Sequence, residues 1–396
     1  MSRFLFVVPP LVGHINPAVG VAAALQARGH QVAWAGVSEI ITPFAGADAT
    51  VFGCAGPRLG IGAAARPDIR GVAALKILWE DFFIPLADAM APGVLTAVER
   101  FQPDVLVSDQ QALVGGLIAE RLGIPWATSA TTSGELVGSL AGMPKVQAWQ
   151  SSLLAGLRRR TGDPAGAADP RFSPHLLLAF TTAEFVGSAL QAGPEVRFVG
   201  PALRSRRTTA QFPWSWLDRD RPTVLITLGT VSADVGARFL AECTEAALAR
   251  SDRLQTVIVD PTSSLRQIAD GVLVTPCVPQ LELLEHVDAV VCHAGHNTVC
   301  EALWHGSPLV VAPIRDDQTI IAQQVVDAGA GVRVRFTRVD AQRLGAAVDT
   351  VLGEPDYRVA ADRVRRSFRA AGGADAAAGH LERIANRPAV PGRHTR

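Results

Sequence analysis

Short unbroken apolar runs recur along the chain, each closed by a turn and followed by a stretch with helical spacing. The runs Phe4–Val8, Gln31–Ala35, Asp104–Ser108, His175–Phe180, Val196–Val199, Thr223–Leu228, Thr256–Val259, Asp288–Cys292 and Leu309–Ala312 predict strands. Continuous apolarity is what a parallel strand shows when both faces of its sheet are covered. The first helix is the clearest: Ala18, Val21, Ala22 and Leu25 follow i, i+3, i+4, i+7. Asn16 is expected as its N-cap, Pro17 at its first position and Gly29 beyond its end. Strands alternating with helices predict an α/β class with parallel sheets.

A chain of 396 residues exceeds what one hydrophobic core organises. Both halves open alike, with an apolar strand, a turn containing Gly13 or Gly229, and a helix. The expected architecture is therefore two Rossmann-like, doubly wound parallel-sheet domains facing across a cleft. The polar, basic stretch after Leu203 sets the boundaries: residues 1–205 form the first domain, 206–221 a linker and 222–375 the second domain. Residues 376–396 are read as a terminal helix and tail packing back on the first domain. The polar stretch Arg158–Arg171 is expected as a surface loop of the first half.

Composition narrows the partners. Lys plus Arg is 37 and Asp plus Glu is 37, so the formal charge is zero, and nucleic acid, which usually leaves a basic excess, is excluded. A hydrophobic fraction of 48% with only 19% charged residues fits large buried sheets or apolar clefts. Five cysteines, an odd number in a long chain, form no disulfide framework. The N-terminal apolar run ends at Pro9 and Pro10 without a cleavage pattern, and no run of about 18 apolar residues occurs. The expectation is a cytoplasmic protein without a membrane span; the oligomeric state stays open.

Candidate chemistry gathers where strands end. In an open α/β sheet, ligands sit at the carboxyl ends of the strands. His14 follows the first strand, and an imidazole suits proton transfer near neutral pH. Asp109 closes another strand and can stand behind His14, fixing its tautomer, or can simply cap the helix after Gln110. The segment Val290–Leu303 ends a buried strand in a turn at Gly295 and starts a helix near Asn297. The exposed N–H groups at Gly295–Thr298 form a ready anion site, to which His293 adds a donor. Thr298 and Glu301 also fit a capping box. Zinc held by Cys292, His293, His296 and Cys300 is an alternative, but adjacent strand residues point to opposite faces. Downstream, Asp317 and Gln318 suit a pair of sugar hydroxyls, and Asp317 equally suits a plain N-cap.

Taken together these segments resemble the UDP-sugar-dependent glycosyltransferases of the GT-B fold, and within them the bacterial natural-product and carotenoid enzymes. The resemblance runs from Gly13-His14-Ile15-Asn16-Pro17 through Phe198-Val199-Gly200-Pro201 and Leu228-Gly229-Thr230. It continues through Val278-Pro279-Gln280, His293-Ala294-Gly295-His296-Asn297-Thr298, Glu301, Gly306-Ser307-Pro308, Pro313 and Asp317-Gln318. It implies His14 as general base with Asp109 orienting it. It also implies that His293, the Gly295–Thr298 turn with His296 and Asn297, and Thr230 hold the donor diphosphate. Glu301 would bind the ribose, Asp317 and Gln318 the transferred sugar, and Val278 and Gln280 would lie by the nucleobase and ribose. The implied reaction is inverting, with no metal and no resident cofactor. Its partners are a nucleoside-diphosphate sugar and a hydroxyl of a hydrophobic small molecule, a secondary metabolite. Plant members carry Trp where this chain has Cys277, so thymidine diphosphate is open beside uridine diphosphate.

For the acceptor, Trp79, Phe82, Phe83, Leu136 and Met143 are candidates for an apolar wall, although such residues more often form core. Two alternatives accompany the transferase reading. One is a nucleotide-sugar epimerase of the same fold, and the other a non-catalytic sugar-nucleotide- or metal-binding partner protein.

Overall fold

The computed structural model of the protein describes residues 1–56, 71–136, 142–187, 195–203, 210–229, 236–263, 265 and 270–386. The chain divides into two compact units. The first comprises Met1–Phe180, Leu190–Arg204 and Ala371–Arg396; the second comprises Thr181–Ala189 and Ser205–Ala370.

The first unit holds the strands β1 (Arg3–Val7), β2 (Gln31–Gly36), β3 (Thr50–Gly53), β4 (Val105–Asp109), β5 (Trp126–Ala130), β6 (Leu177–Ala179) and β7 (Val196–Phe198). They form one sheet in the order β3-β2-β1-β4-β5-β6-β7, every pair parallel. Alternation along β1 divides the core between two faces. Phe4 and Phe6 pack with Ile15, Val21 and Leu25 on one side. Leu5 and Val7 pack with Trp79, Phe83, Met90 and Val94 on the other. The last four come from the helical run Val72–Phe101, which has a wider π-helical turn at Leu78–Phe83. By length and composition alone that run is apolar enough to cross a membrane, which a count of consecutive apolar residues did not anticipate.

The second unit holds β8 (Thr223–Thr227), β9 (Gln255–Val259), β10 (Val272–Thr275), β11 (Ala289–Cys292), β12 (Leu309–Val311) and β13 (Gly331–Arg333). They pair in parallel in the order β10-β9-β8-β11-β12-β13. Both sheets are thus the doubly wound parallel sheets that the sequence predicts.

Several local expectations change. The first helix spans Val12–Ala27 and carries Pro17 inside it, with Leu11 rather than Asn16 at the N-cap position. Proline lacks the N–H that would bond four residues back and its ring crowds that carbonyl, yet with the helix start so near the turn ahead of it is still helical. His14 therefore stands in the first helical turn, its N–H on the Leu11 carbonyl at 2.9 Å. The stretch Arg158–Arg171 is a partly exposed loop only from Gly162 onward. It starts in the helix Pro144–Thr161, and the Arg158 side chain is buried against Glu120 while Arg171 pairs with Asp169.

The chain also changes units more often than one linker allows. Phe185 stacks edge-on against Phe368, and Glu184 pairs with Arg363 at 2.7 Å, which ties residues just after β6 to the second unit. After Ala370, Gly372 and Gly373 at φ +85° and +55° break the helix, a region only glycine enters easily. The last helix, Gly373–Ala385, then inserts Ala377, Ala378, Leu381 and Ile384 into the core beside Phe4 and Ile15.

Candidate functional site

Strand order reverses at β1/β4 in the first sheet and at β8/β11 in the second. A crevice outside such a switch point is where doubly wound sheets take ligands. The candidate residues fall at both places: His14 and Asp109 follow β1 and end β4, and Gly229 and His293 follow β8 and β11.

At the first switch point His14 Nδ1 lies 2.9 and 3.0 Å from the two carboxylate oxygens of Asp109. The Asp109 side chain is fully enclosed, whereas that of His14 is 14% exposed. Asp109 caps no helix; its Oδ1 accepts the Gln111 N–H at 2.8 Å, and the next helix starts at Leu113. The sequence reading missed a third member, Thr131, the residue after β5. Its hydroxyl donates to Asp109 Oδ2 at 2.9 Å and sits 2.6 Å from His14 Nδ1. A carboxylate only accepts, so the shared proton belongs on Nδ1, which makes Nε2 the basic nitrogen. Position at a strand exit was the available signal for Thr131. The strand Trp126–Ala130, with Thr128 and Ser129 in it, lacks the apolar run that marks the others.

At the second switch point the helix starts at His296 with Gly295 as N-cap and no side-chain cap, and the positive end of its dipole suits an anion. Ala294 before it holds φ +63°, a conformation that costs a residue with a Cβ about 1–2 kcal/mol. The His293 ring lies against both Gly229 and Gly295, where a Cβ on either would run into the imidazole. Its Nδ1 is buried and finds no hydrogen-bond partner among the described residues. Burial, reinforced by the Arg315 guanidinium and opposed by the Thr227 backbone, pushes His293 down to about 4. His293 is therefore neutral near pH 7 and offers an anion a hydrogen bond rather than a charge.

Thr298 is the third helical residue and Glu301 lies a turn further in, so the two form no capping box. Glu301 is buried, and Gln280 Nε2 donates to its Oε2 at 2.5 Å. Val278 is half-buried and Cys277 exposed. Asp317 occupies the N-cap of the helix Gln318–Asp327 without making a capping bond. Gln318 Oε1 of the side-chain amide instead accepts the N–H groups of Ile314 and Arg315 at 2.8 and 3.1 Å. Asn297 is half-buried and His296 buried, its Nε2 3.5 Å from Cys300 Sγ one turn on. Thr230 lies outside the described residues.

The four residues of the zinc alternative point in different directions. Cys292 ends a buried strand and His293 turns toward the glycines, while His296 and Cys300 meet each other. Among the described residues no three His, Cys, Asp or Glu side chains converge. Of the acceptor candidates, Trp79 and Phe83 are core, 5.4 Å apart edge-on, and Phe82 packs half-buried beside them. Leu136 is buried with Ala130, Leu177 and Ala179, while Met143 is 45% exposed.

Comparison with known proteins agrees with this geometry. Residues 246–383 match the C-terminal domain of the erythromycin biosynthesis protein CIII-like family. The chain is 32% identical over 409 residues to the 4'-demethylrebeccamycin synthase of Lentzea aerocolonigenes, covering 93% of this chain and 96% of that one. It is 28% identical to the NDP-glycosyltransferase YjiC of Bacillus subtilis (strain 168), over 96% and 97% of the two chains. The crystal structure of the kitacinnamycin glycosyltransferase superposes with a TM-score of 0.78 at 25% identity, over 97% of this chain and 98% of that one. Strand exits that carry a His–Asp–Thr cluster in one GT-B unit and an anion-ready helix start in the other thus go with full-length kinship, and the chain belongs to the nucleoside-diphosphate-sugar-dependent glycosyltransferases.

Proposed function

We propose that the protein transfers a sugar, with inversion, from a uridine or thymidine diphosphate sugar to a hydroxyl of a hydrophobic secondary metabolite. The observation that carries this reading is the His14–Asp109–Thr131 cluster, which leaves Nε2 of a partly exposed imidazole as the base. Nε2 takes the acceptor proton as the acceptor oxygen attacks the anomeric carbon. The bond from that carbon to the diphosphate breaks, and its electron pair leaves with the phosphate oxygen. His293 and the N–H groups of the helix start at His296 receive that developing charge. The reading includes no metal ion or resident cofactor.

Glu301 with Gln280 takes the ribose hydroxyls, and Asp317 with the Gln318 amide nitrogen takes the sugar. The secondary-metabolite acceptor follows the kinship with the 4'-demethylrebeccamycin synthase. Five free cysteines fit a reducing compartment, and we place the reaction in the cytoplasm.

The test is a mass-spectrometric screen of UDP- and TDP-sugars against hydroxylated aromatic and polyketide acceptors, followed by NMR of the new anomeric bond. An α-linked donor should give a β-linked product, and His14→Ala should abolish transfer while nucleotide binding survives. Retention of configuration, or full transfer by His14→Ala, would sink the reading.

A further inference from the structure

The exits of β4 and β5 are stitched together twice. The inner stitch joins Thr131 Oγ to Asp109 Oδ2 at 2.9 Å, and the outer one joins Gln111 Nε2 to Glu135 Oε1 at 3.4 Å. Gln111 belongs to both, since its backbone N–H holds Asp109. Glu135 thus stands one step further along both strand exits than the His14–Asp109 pair.

Its other contact is Arg171 Nη1, again at 3.4 Å. That guanidinium is committed elsewhere: it holds Asp169 at 2.6, 3.0 and 3.2 Å and lies 5.2 Å over Trp79 and 5.0 Å over Phe172. Both contacts of Glu135 are at the long limit of a hydrogen bond. Its side chain is nevertheless only 19% exposed. A carboxylate so enclosed without a close donor is costly, and burial pushes the Glu135 carboxyl up against the pull of Arg171. Asp169 is a second acid on the same guanidinium, and Asp109 repels the Glu135 carboxylate from the other side of Gln111, so the charge felt by Glu135 is negative.

We propose that Glu135 selects the acceptor by accepting a hydrogen bond from a second donor group, a hydroxyl, N–H or ammonium, beside the hydroxyl presented to His14. This rests on the reading of His14 as the base. Acceptors with a carboxylate at that point meet the excess negative charge and are disfavoured.

The test uses three probes with the full chain: 2-naphthol, 2,7-dihydroxynaphthalene and 6-hydroxy-2-naphthoic acid. Binding is followed by fluorescence and transfer by mass spectrometry. The wild type should prefer the diol over the naphthol and bind the acid least. Glu135→Gln should shrink the diol-to-naphthol ratio about fivefold or more and lift the acid, because a charged acceptor is replaced by a neutral one. Thermal melting checks the fold, and Glu135→Asp, which shortens the reach by one methylene, serves if the amide variant does not fold. A diol preference unchanged in the folded variant overturns the proposal, as does the absence of saturable binding of all three probes to the wild type. Ordered binding that collapses in Glu135→Gln, but without transfer, supports the selection while overturning the reading of His14.

Discussion

The Thr131 hydroxyl lies 2.6 Å from His14 Nδ1 while its proton is directed to Asp109 Oδ2 at 2.9 Å. One nitrogen of the imidazole is thereby held by three oxygens of two residues, at two different strand exits. The ring cannot flip without breaking these contacts. Asp109→Asn puts an amide N–H opposite Nδ1 and favours the wrong tautomer, so kcat/KM should fall by about 10³–10⁴. Thr131→Val keeps the shape and removes only the hydroxyl, at a cost of about tenfold. Steady-state kinetics on both variants checks the order, and equal losses would contradict it.

Gly295 carries no side chain because the His293 ring occupies the place of its Cβ. Gly295→Ala should displace the imidazole or the helix start and weaken nucleoside-diphosphate binding about tenfold or more, with a smaller change in melting temperature. Calorimetry with UDP and TDP measures this. Unchanged affinity would mean that the ring position is irrelevant to the anion.

His293 also makes stability depend on pH. Its folded value is lowered to about 4 from an ordinary 6.5, so the unfolded chain binds the proton first as pH falls. Stability is complete above about pH 6.5, declines between 6.5 and 4 and then levels off, the total from this group being on the order of 3 kcal/mol. His293→Asn should flatten that slope in denaturant titrations between pH 4 and 7.

Leu381, fully buried in the last helix, packs with Phe4, Ile15 and Leu25 from the opposite end of the chain. Leu381→Ala should destabilise the first unit by about 2–5 kcal/mol, measured by chemical denaturation. A surface-like effect below about 0.5 kcal/mol would contradict this docking.

The strands that were legible in the sequence are those whose residues are apolar on both faces, such as Leu5–Val7 and Ala289–Cys292. Of the four missed, Val272–Thr275 carries an apolar run but is only four residues long, and the other three lack the mark. Trp126–Ala130 carries hydroxyls, Thr50–Gly53 is a short edge strand, and Gly331–Arg333 starts on glycine. Missing Trp126–Ala130 entailed missing Thr131, because a residue at a strand exit is found only when the strand is. Trp79 and Phe83 were read as an acceptor wall or as core, and apolar character alone does not distinguish these roles.

Sequence alone determined the α/β class, the two parallel sheets and the candidates His14, Asp109 and His293. Hydrophobic runs, turn residues and strand ends are local features, and each is written within a few neighbouring positions. Tertiary structure alone decided which distant residues meet. Thr131 joins His14 across 117 positions, Glu135 reaches Gln111, and Leu381 completes the core of the first sheet. It also decided that His293 is neutral, because desolvation depends on everything packed around a group and not on its neighbours in the chain.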